Sequence, residues 1–429
     1  MRILIRHGYV IDPGRFNGIG DILIEDRKIK ELSSEIKVKH ENRECEIIEA
    51  RGLLVCPGFI DLHVHLREPG YEDKETIASG VAAAVAGGFT SVCCMPNTSP
   101  VNDSRAVTEF ILRQAALAKK ANVFPIGAIT KQSEGHELAE IGELAEAGCV
   151  ALSDDGRPVM NSLLMRRAME YASAFQLPIV DHCEDLHLSD GGSMNEGRVS
   201  TELGIPGIPG VSEEVMVARN IALAELTGAR VHLAHISTRG SVRLVREAKA
   251  RGISVTAEVC PHHFSLTEEA VRSYNTNAKM NPPLRTETDV HAIKEGLRDG
   301  TLDVIATDHA PHAVQDKQRQ FDEAPFGVVG LETALPLTLA LVDEGVLSLE
   351  AALAKLTREP ARVFRLPKGT LRPGADADVV LIDRERTWVV DPSRFFSKGR
   401  NTPFTGWTMK GKVVKTLVGG RVVYDEKAQ

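Results

Sequence analysis

Apolar residues along this chain gather into compact runs, and the stretches between the runs have a different texture. Eight runs of six to eight residues lie at 59–66, 90–95, 122–129, 149–154, 178–183, 230–236, 254–260 and 302–307. Between them lie Ala/Leu/Glu-rich stretches such as SRAVTEFILRQAALAKKA, NSLLMRRAMEYASAF and SEEVMVARNIALAELTG. The long stretches repeat apolar residues at helical spacing, whereas the short runs are apolar throughout, as strands buried on both faces are. Their alternation predicts a parallel sheet covered by helices. Eight such units over ~300 residues point to a closed (β/α)8 barrel, although seven or nine units in a doubly wound sheet produce much the same pattern. The two ends differ from this middle. RILIRHGYVID, GDILIEDRKIKEL and CEIIEA at the start, and DADVVLID, TWVVD and KVVKTLVGGRVVYD at the end, lack a helical period and read as strands of a small sheet. Gly419-Gly420 predicts a hairpin turn, and a second turn is expected at Asp26-Arg27.

The ionisable residues decide between barrel and open sheet. Barrel enzymes build their sites at the C-terminal ends of the strands. Five of the eight runs carry metal-capable groups late in the run: His63 and His65 in the first, Asp154 and Asp155 at the end of the fourth, His182 in the fifth, His235 in the sixth and Asp308 after the eighth. His63 and His65 stand at i and i+2 on a strand, so both face one side, about 7 Å apart. Four histidines and two aspartates converging in a core carry a large desolvation cost unless a cation offsets it. Imidazoles with carboxylates suit zinc, with manganese or cobalt as alternatives. Two ions sharing one carboxylate would use all six ligands and lower the pKa of a water between them. Spacing alone leaves the sharing carboxylate open between Asp154 and Asp155. Strand alternation sends His232 and His309 to the opposite face from His235 and Asp308. His7, His40, His136, His187 and His291 lie outside strand ends and receive no role; His262-His263 follow the seventh run, and either a site or a structural role suits them.

Composition removes several classes of function. The 429 residues carry 51 basic and 59 acidic side chains, net -8, without a block of like charge, which argues against an electrostatic nucleic-acid binder. No apolar stretch approaches the ~18 residues of a membrane span. The opening MRILIRHGYVIDPG does not read as a signal peptide, and the odd set of seven cysteines lies mostly in apolar runs, as buried free thiols do. A cytoplasmic protein is expected.

Several motifs are specific enough to suggest a family. PGFIDLHVHLREPG (57–70) and DVIATDHAPH (303–312), with CMPNT (94–98), SDDG (153–156), MNPPLR (280–285) and GADAD (374–378), resemble the signatures of bacterial type I dihydroorotases in the amidohydrolase superfamily. The resemblance runs essentially end to end. It implies a (β/α)8 TIM barrel (55–365) carrying a small β-sandwich assembled from both chain ends (1–54 and 366–429). It also implies zinc-dependent, reversible cyclisation of N-carbamoyl-L-aspartate to dihydroorotate with loss of water. Carried over by position, His63, His65 and Asp308 would bind the first of two zinc ions, His182 and His235 the second, and Asp155 would bridge them. Hydantoinases and dihydropyrimidinases resemble this chain in fold but bridge their metals with a carboxylated lysine; the corresponding stretch GCVALSDD (148–155) has no lysine.

For substrate, Arg67 lies two residues past His65 in the same strand phase, and a guanidinium suits bidentate carboxylate binding. The resemblance adds Asn97 and His312 to that carboxylate pocket, Asn281 and the backbone of Phe326 and Gly327 to the ring, and His65 as a further contact. Asp308, at the metal edge, is the expected proton carrier. The polar stretch 313–325 is expected to form a lid. A homodimer and a complex with aspartate carbamoyltransferase are the expected assemblies. The competing readings are another cyclic amidase, or a metal-free scaffold for that transferase; the latter would be expected to lack ligands that are all present here.

Overall fold

The computed structural model describes residues 2–37 and 45–428; His40 lies outside them. Eight parallel strands form the central sheet in sequential order: β1 (Phe59–Val64), β2 (Phe89–Cys94), β3 (Asn122–Gly127), β4 (Ala151–Leu152), β5 (Ile179–Asp181), β6 (Val231–Leu233), β7 (Val255–Val259) and β8 (Val304–Ile305). Each coincides with one of the eight apolar runs, Phe89–Cys94 starting one residue before its run. The sheet closes where Val64 bridges His309 in parallel and the His65 amide donates to the His309 carbonyl at 2.9 Å. Asp61 seals the seam lower down, accepting from the backbone (3.1 Å) and hydroxyl (2.6 Å) of Thr307. The barrel interior is filled, not hollow: Ile60, Leu62, Ile126, Ala151, Val180, Ala234 and Val304 pack together, with Val363 and Phe364 in the same cluster.

Helices follow the strands and turn one face inward. In Arg239–Ala250, Val242, Val245 and Ala248 are buried while Arg243, Arg246 and Glu247 are exposed, a one-sided pattern of helical period. Local signals define the helix ends. Asn161 accepts from the amides of Leu163 and Leu164 and so caps Ser162–Ala174, an interaction worth about 1 kcal/mol. Gly228 ends Val211–Thr227 at φ +70°, where a side chain would be strained.

Strands from the two chain ends join one eight-stranded mixed sheet. The long strand Arg2–Asp12 pairs antiparallel with Phe16–Glu25 and parallel with Cys45–Glu49 and Leu54–Pro57. Leu54–Pro57 pairs antiparallel with Val379–Val389, which leads to Thr408–Val418 and Arg421–Asp425. Ile3, Ile5, Ile22 and Ile24 share a core with Val379, Leu381 and Leu417, so the sheet curls over one apolar interior. Both expected turns are present, with positive φ at Asp26, Arg27, Gly419 and Gly420. Only Gly58 separates Leu54–Pro57 from β1, so the end sheet leads directly into the barrel.

Candidate metal centre

Irregular backbone brings the ionisable groups to one place. The β1–β2 pairing shifts register between Asp61 and Val64. Across and beyond that shift His63 and His65 face the barrel mouth, while Val64 and Leu66 pack into the main core. His235 (φ +31°), Asp308 (φ +48°) and Arg67 (φ +64°) all occupy the left-handed region, which costs a residue with a side chain roughly 1–3 kcal/mol. Three such residues around one cleft mark a site held in place by its surroundings. The kink at His235 also explains His232. It is not on the outer face as strand alternation suggested: its ring packs on Phe364 and bonds Glu258 at 3.0 Å, below the metal-capable cluster.

Asp155 sits among four imidazoles. Its Oδ1 lies 3.4 Å from His63 Nε2, 3.8 Å from His235 Nε2 and 3.9 Å from His182 Nδ1, and its Oδ2 lies 3.6 Å from His65 Nε2. Asp308 Oδ1 is 3.0 Å from His65 Nε2 and 3.5 Å from His63 Nε2. His182 Nδ1 and His235 Nε2 approach to 2.9 Å. Asp154, in contrast, points away: its carboxylate accepts from the amides of Ile129 (2.8 Å) and Thr130 (3.1 Å) and from the Thr130 hydroxyl.

Carboxylates and an amide orient the rings from behind. Glu258 bonds His63 Nδ1 (2.8 Å), Glu184 bonds His182 Nε2 (2.8 Å), and the Asn97 carbonyl bonds His65 Nδ1 (2.9 Å). Each leaves the opposite nitrogen facing the centre, as polar partners behind metal-binding histidines do. Neither Glu258 nor Glu184 was identified from the sequence; the only available signal was a glutamate within or just after an apolar strand run.

The electrostatics call for a cation. Burial alone depresses the His63 imidazole, but Asp155 and Asp308 outweigh it and hold the ring well above its ordinary value. Burial likewise opposes ionisation of Asp155, yet the surrounding histidines, His63 foremost, hold its carboxyl well below the usual range. His182 is pushed up to about 9, its burial overcome by Glu184. His63 Nε2 and Asp155 Oδ1 are buried and have no hydrogen-bond partner among the described residues. Two trios, His63/His65/Asp308 and His63/Asp155/His235, bring one ligand atom each within 4.8 Å of one another. Orphaned buried donors of this chemistry fit a metal ion, which would supply the positive charge otherwise met by protons.

The substrate candidates lie around this cluster with specific prior commitments. Arg67 is half-buried and its Nε donates to the Pro311 carbonyl at 3.2 Å. Asn97 also reaches Asp155 Oδ2 (3.5 Å) and lines a cleft with Tyr71, Gln132, Asp155 and Arg157. The Asn281 amide donates to Glu184 at 2.8 Å. His312 Nε2 donates to the Phe326 carbonyl (2.7 Å), so its Nδ1 carries the lone pair; Nδ1 is buried with no hydrogen-bond partner among the described residues and lies 4.0 Å from Asp316 Oδ2. Burial, with Arg67 next in weight, pushes this imidazole down to about 2. The neutral ring therefore offers an acceptor, and donation to a carboxylate requires a proton on Nδ1 or release of Phe326. Gly327 is in turn held by Lys279 and Asn401, and a Cβ there would meet Ala310 Cβ at 2.8 Å and His312 Nε2 at 3.1 Å. The stretch expected as a lid contains a short helix, Val314–Lys317, and is tied down by two lysines. Lys317 donates to the carbonyls of Pro325 (2.7 Å) and Lys279, and Lys279 to those of Phe321 (2.7 Å) and Asp322.

A filled (β/α)8 barrel with histidines and aspartates gathered at its mouth defines an amidohydrolase-type, metal-binding protein. The profile of the dihydro-orotase-like family matches residues 52–241, and that of an amidohydrolase family matches 224–424. A dihydroorotase of Syntrophus aciditrophicus is 56% identical over 427 residues, covering 99% of this chain and all of the relative. One of Pelotomaculum thermopropionicum is 57% identical, covering 100% and 99%. The chain belongs to the dihydroorotase family. Among solved structures, an L-hydantoinase (dihydropyrimidinase) of Arthrobacter aurescens superposes with TM-score 0.87 at 25% identity, covering 99% of this chain and 96% of that one. A dihydropyrimidinase of Brevibacillus agri NCHU1002 shares the fold, with TM-score 0.85 at 23% identity and 100% and 96% coverage.

Proposed function

We propose that this chain interconverts N-carbamoyl-L-aspartate and dihydroorotate, with His63, His65, Asp155, His182, His235 and Asp308 holding two zinc ions. The observation that carries this reading is the carboxylate of Asp155 set among four imidazoles, where the stretch 148–155 has no lysine to serve as bridge. It agrees with the identity to dihydroorotases, which far exceeds that to the hydantoinases.

A bound divalent cation supplies Lewis-acid polarisation of a carbonyl and an acidified water. The protein's residues do the rest. Arg67, its Nε fixed on Pro311, turns its remaining guanidinium nitrogens to the substrate carboxylate. Asn97 and His312 flank that carboxylate, and Asn281 and the Phe326-Gly327 backbone bound the ring. In hydrolysis Asp308 takes the proton of the attacking water as the new C–O bond forms, then passes it to the ring nitrogen as the C–N bond breaks. In synthesis it removes the ureido nitrogen's proton and the steps reverse.

Turnover of dihydroorotate by chelated and zinc-reloaded protein, combined with metal analysis, tests this. Activity should return with about two zinc per chain, following the two-ion mechanism. Faster hydrolysis of hydantoin or dihydrouracil than of dihydroorotate would overturn the assignment. The dimer and the transferase complex rest on the family resemblance and are checked by light scattering and co-migration with aspartate carbamoyltransferase. A reducing compartment such as the cytoplasm suits seven free cysteines, six of them buried.

A further inference from the structure

We infer that Cys260, His262 and His263 form a separate binding site for a thiophilic divalent cation, beside the histidine–aspartate cluster and sharing no ligand with it. The three follow β7 without a break, with Cys260 immediately preceding the short helix Pro261–Ser265. One ligand atom from each lies within 4.8 Å of the others. All three are buried, with relative exposures of 0%, 2% and 3%.

Two independent features point to a ligand. Among the described residues His262 Nε2 and His263 Nδ1 are buried without any hydrogen-bond partner, a costly arrangement for polar atoms. The tautomer of His263 is also determined: its Nε2 lies 2.9 Å from the Pro282 carbonyl, which can only accept, so Nε2 carries the hydrogen and Nδ1 the lone pair. A ring whose far nitrogen donates to a backbone carbonyl is the arrangement that orients metal-binding histidines. The two rings meet edge to face with centroids 4.3 Å apart.

The charge states agree with this geometry. Burial, reinforced by its neighbour, depresses His262 far below its ordinary value, and burial brings His263 down to about 4, so both rings are neutral with lone pairs available. Burial, aided by Asp308 and Glu258, holds the Cys260 thiol well above its ordinary value, so it ionises only against a cation. Binding would release the thiol proton to solvent and leave a thiolate and two imidazoles on the ion with a fourth position open. Zinc fits this donor set, and cobalt is its spectroscopic probe. Through the bond from His263 to Pro282 the ion would brace the segment carrying Asn281, one of the proposed substrate contacts.

Cobalt titration of the chelated full-length protein tests the site without reference to activity. Cys260 is the only cysteine in either ligand set. A near-ultraviolet thiolate-to-cobalt absorption should therefore grow during the titration and be absent from Cys260→Ser. Wild type should bind one equivalent more than Cys260→Ser, whatever number the other cluster holds. His262→Gln, which keeps the thiol, should lose the same equivalent, and Cys183→Ser should keep both the absorption and the equivalent. Saturated wild type without thiolate absorption, or equal stoichiometry in wild type and a folded Cys260→Ser, would overturn the inference while leaving the dihydroorotase reading intact.

Discussion

Asp154 and Asp155 are adjacent in the chain and have opposite surroundings, which makes their substitution a sharp comparison. Asp155→Asn removes a charge from the midst of four imidazoles and should abolish tight zinc binding, as read by metal analysis after gel filtration. Asp154→Asn should keep its metal. Its carboxylate holds two backbone amides and a hydroxyl, and an amide cannot replace all of these acceptors. A loss of about 1–3 kcal/mol in denaturant unfolding is expected. Spacing could not separate the two residues, because a chain leaving a strand is free to turn either carboxylate inward; the Ile129-Thr130 backbone decides. Histidines of the HxH pair were legible, since strand phase places them together whatever lies around them. Glu258 was not, because its role depends on meeting His63 from a strand far away in the chain, and Glu184 was not, because its turn back onto His182 two residues earlier is a property of the loop. Arg67 is readable in both ways, and Arg67→Met should raise KM for carbamoyl aspartate roughly ten- to a hundredfold, the worth of a charged hydrogen-bonded contact. A smaller effect on kcat in steady-state kinetics would identify it as a binding residue.

At the scale of elements, the eight strands and their helices were legible because parallel strands buried on both faces must be apolar throughout, and the helices facing them must be amphipathic. The segment 313–325 was legible only as polar. Its order comes from Lys279 and Lys317, whose ammonium groups are spent on main-chain carbonyls, and composition cannot distinguish such lysines from solvated ones. Burial pushes Lys317 down to about 7 and Lys279 down to about 8. In the unfolded chain a lysine titrates near 10.4. Between about pH 7 and 10 the unfolded state therefore binds more protons than the folded one, and this pair adds stability as pH rises. Lys279 adds to the depression of Lys317, while Asp316 opposes it, and Asp322 opposes the depression of Lys279. The difference in Tm between wild type and Lys317→Met should shift in favour of wild type from pH 7 to 10 in differential scanning fluorimetry. A flat difference would mean that the carbonyls keep the ammonium charged throughout.

At the scale of the whole molecule, the two chain ends do more than make a sheet of their own. Between Val379–Val389 and Thr408–Val418 the chain leaves that sheet and reaches the barrel mouth. There Asn401 accepts from the His312 amide (3.1 Å) and donates to the carbonyls of Ala310 and Gly327, both at 3.0 Å. Ser397 bonds Glu75 in the loop after β1, and His309 lies 3.3 Å from the same carboxylate. The proposed substrate side of the site is thus braced by a part of the chain some ninety residues beyond Asp308. Nothing in the local sequence around Asn401 announces this, because the partners are main-chain atoms of a distant loop. The protein is acidic overall and its proposed substrate is an anion, so selectivity depends on local placement rather than on net attraction. Asn401→Ala removes one acceptor and two donors at buried positions and should cost about 1–3 kcal/mol in urea unfolding. If the brace positions His312 and Gly327, KM for dihydroorotate should rise more than kcat falls, and Asn401→Asp, which keeps the acceptor for His312 but not the donors, should lie between. An unchanged KM in a destabilised Asn401→Ala would confine the segment to holding the end sheet on the barrel, and the shape of the carboxylate pocket would then be a property of the barrel loops alone.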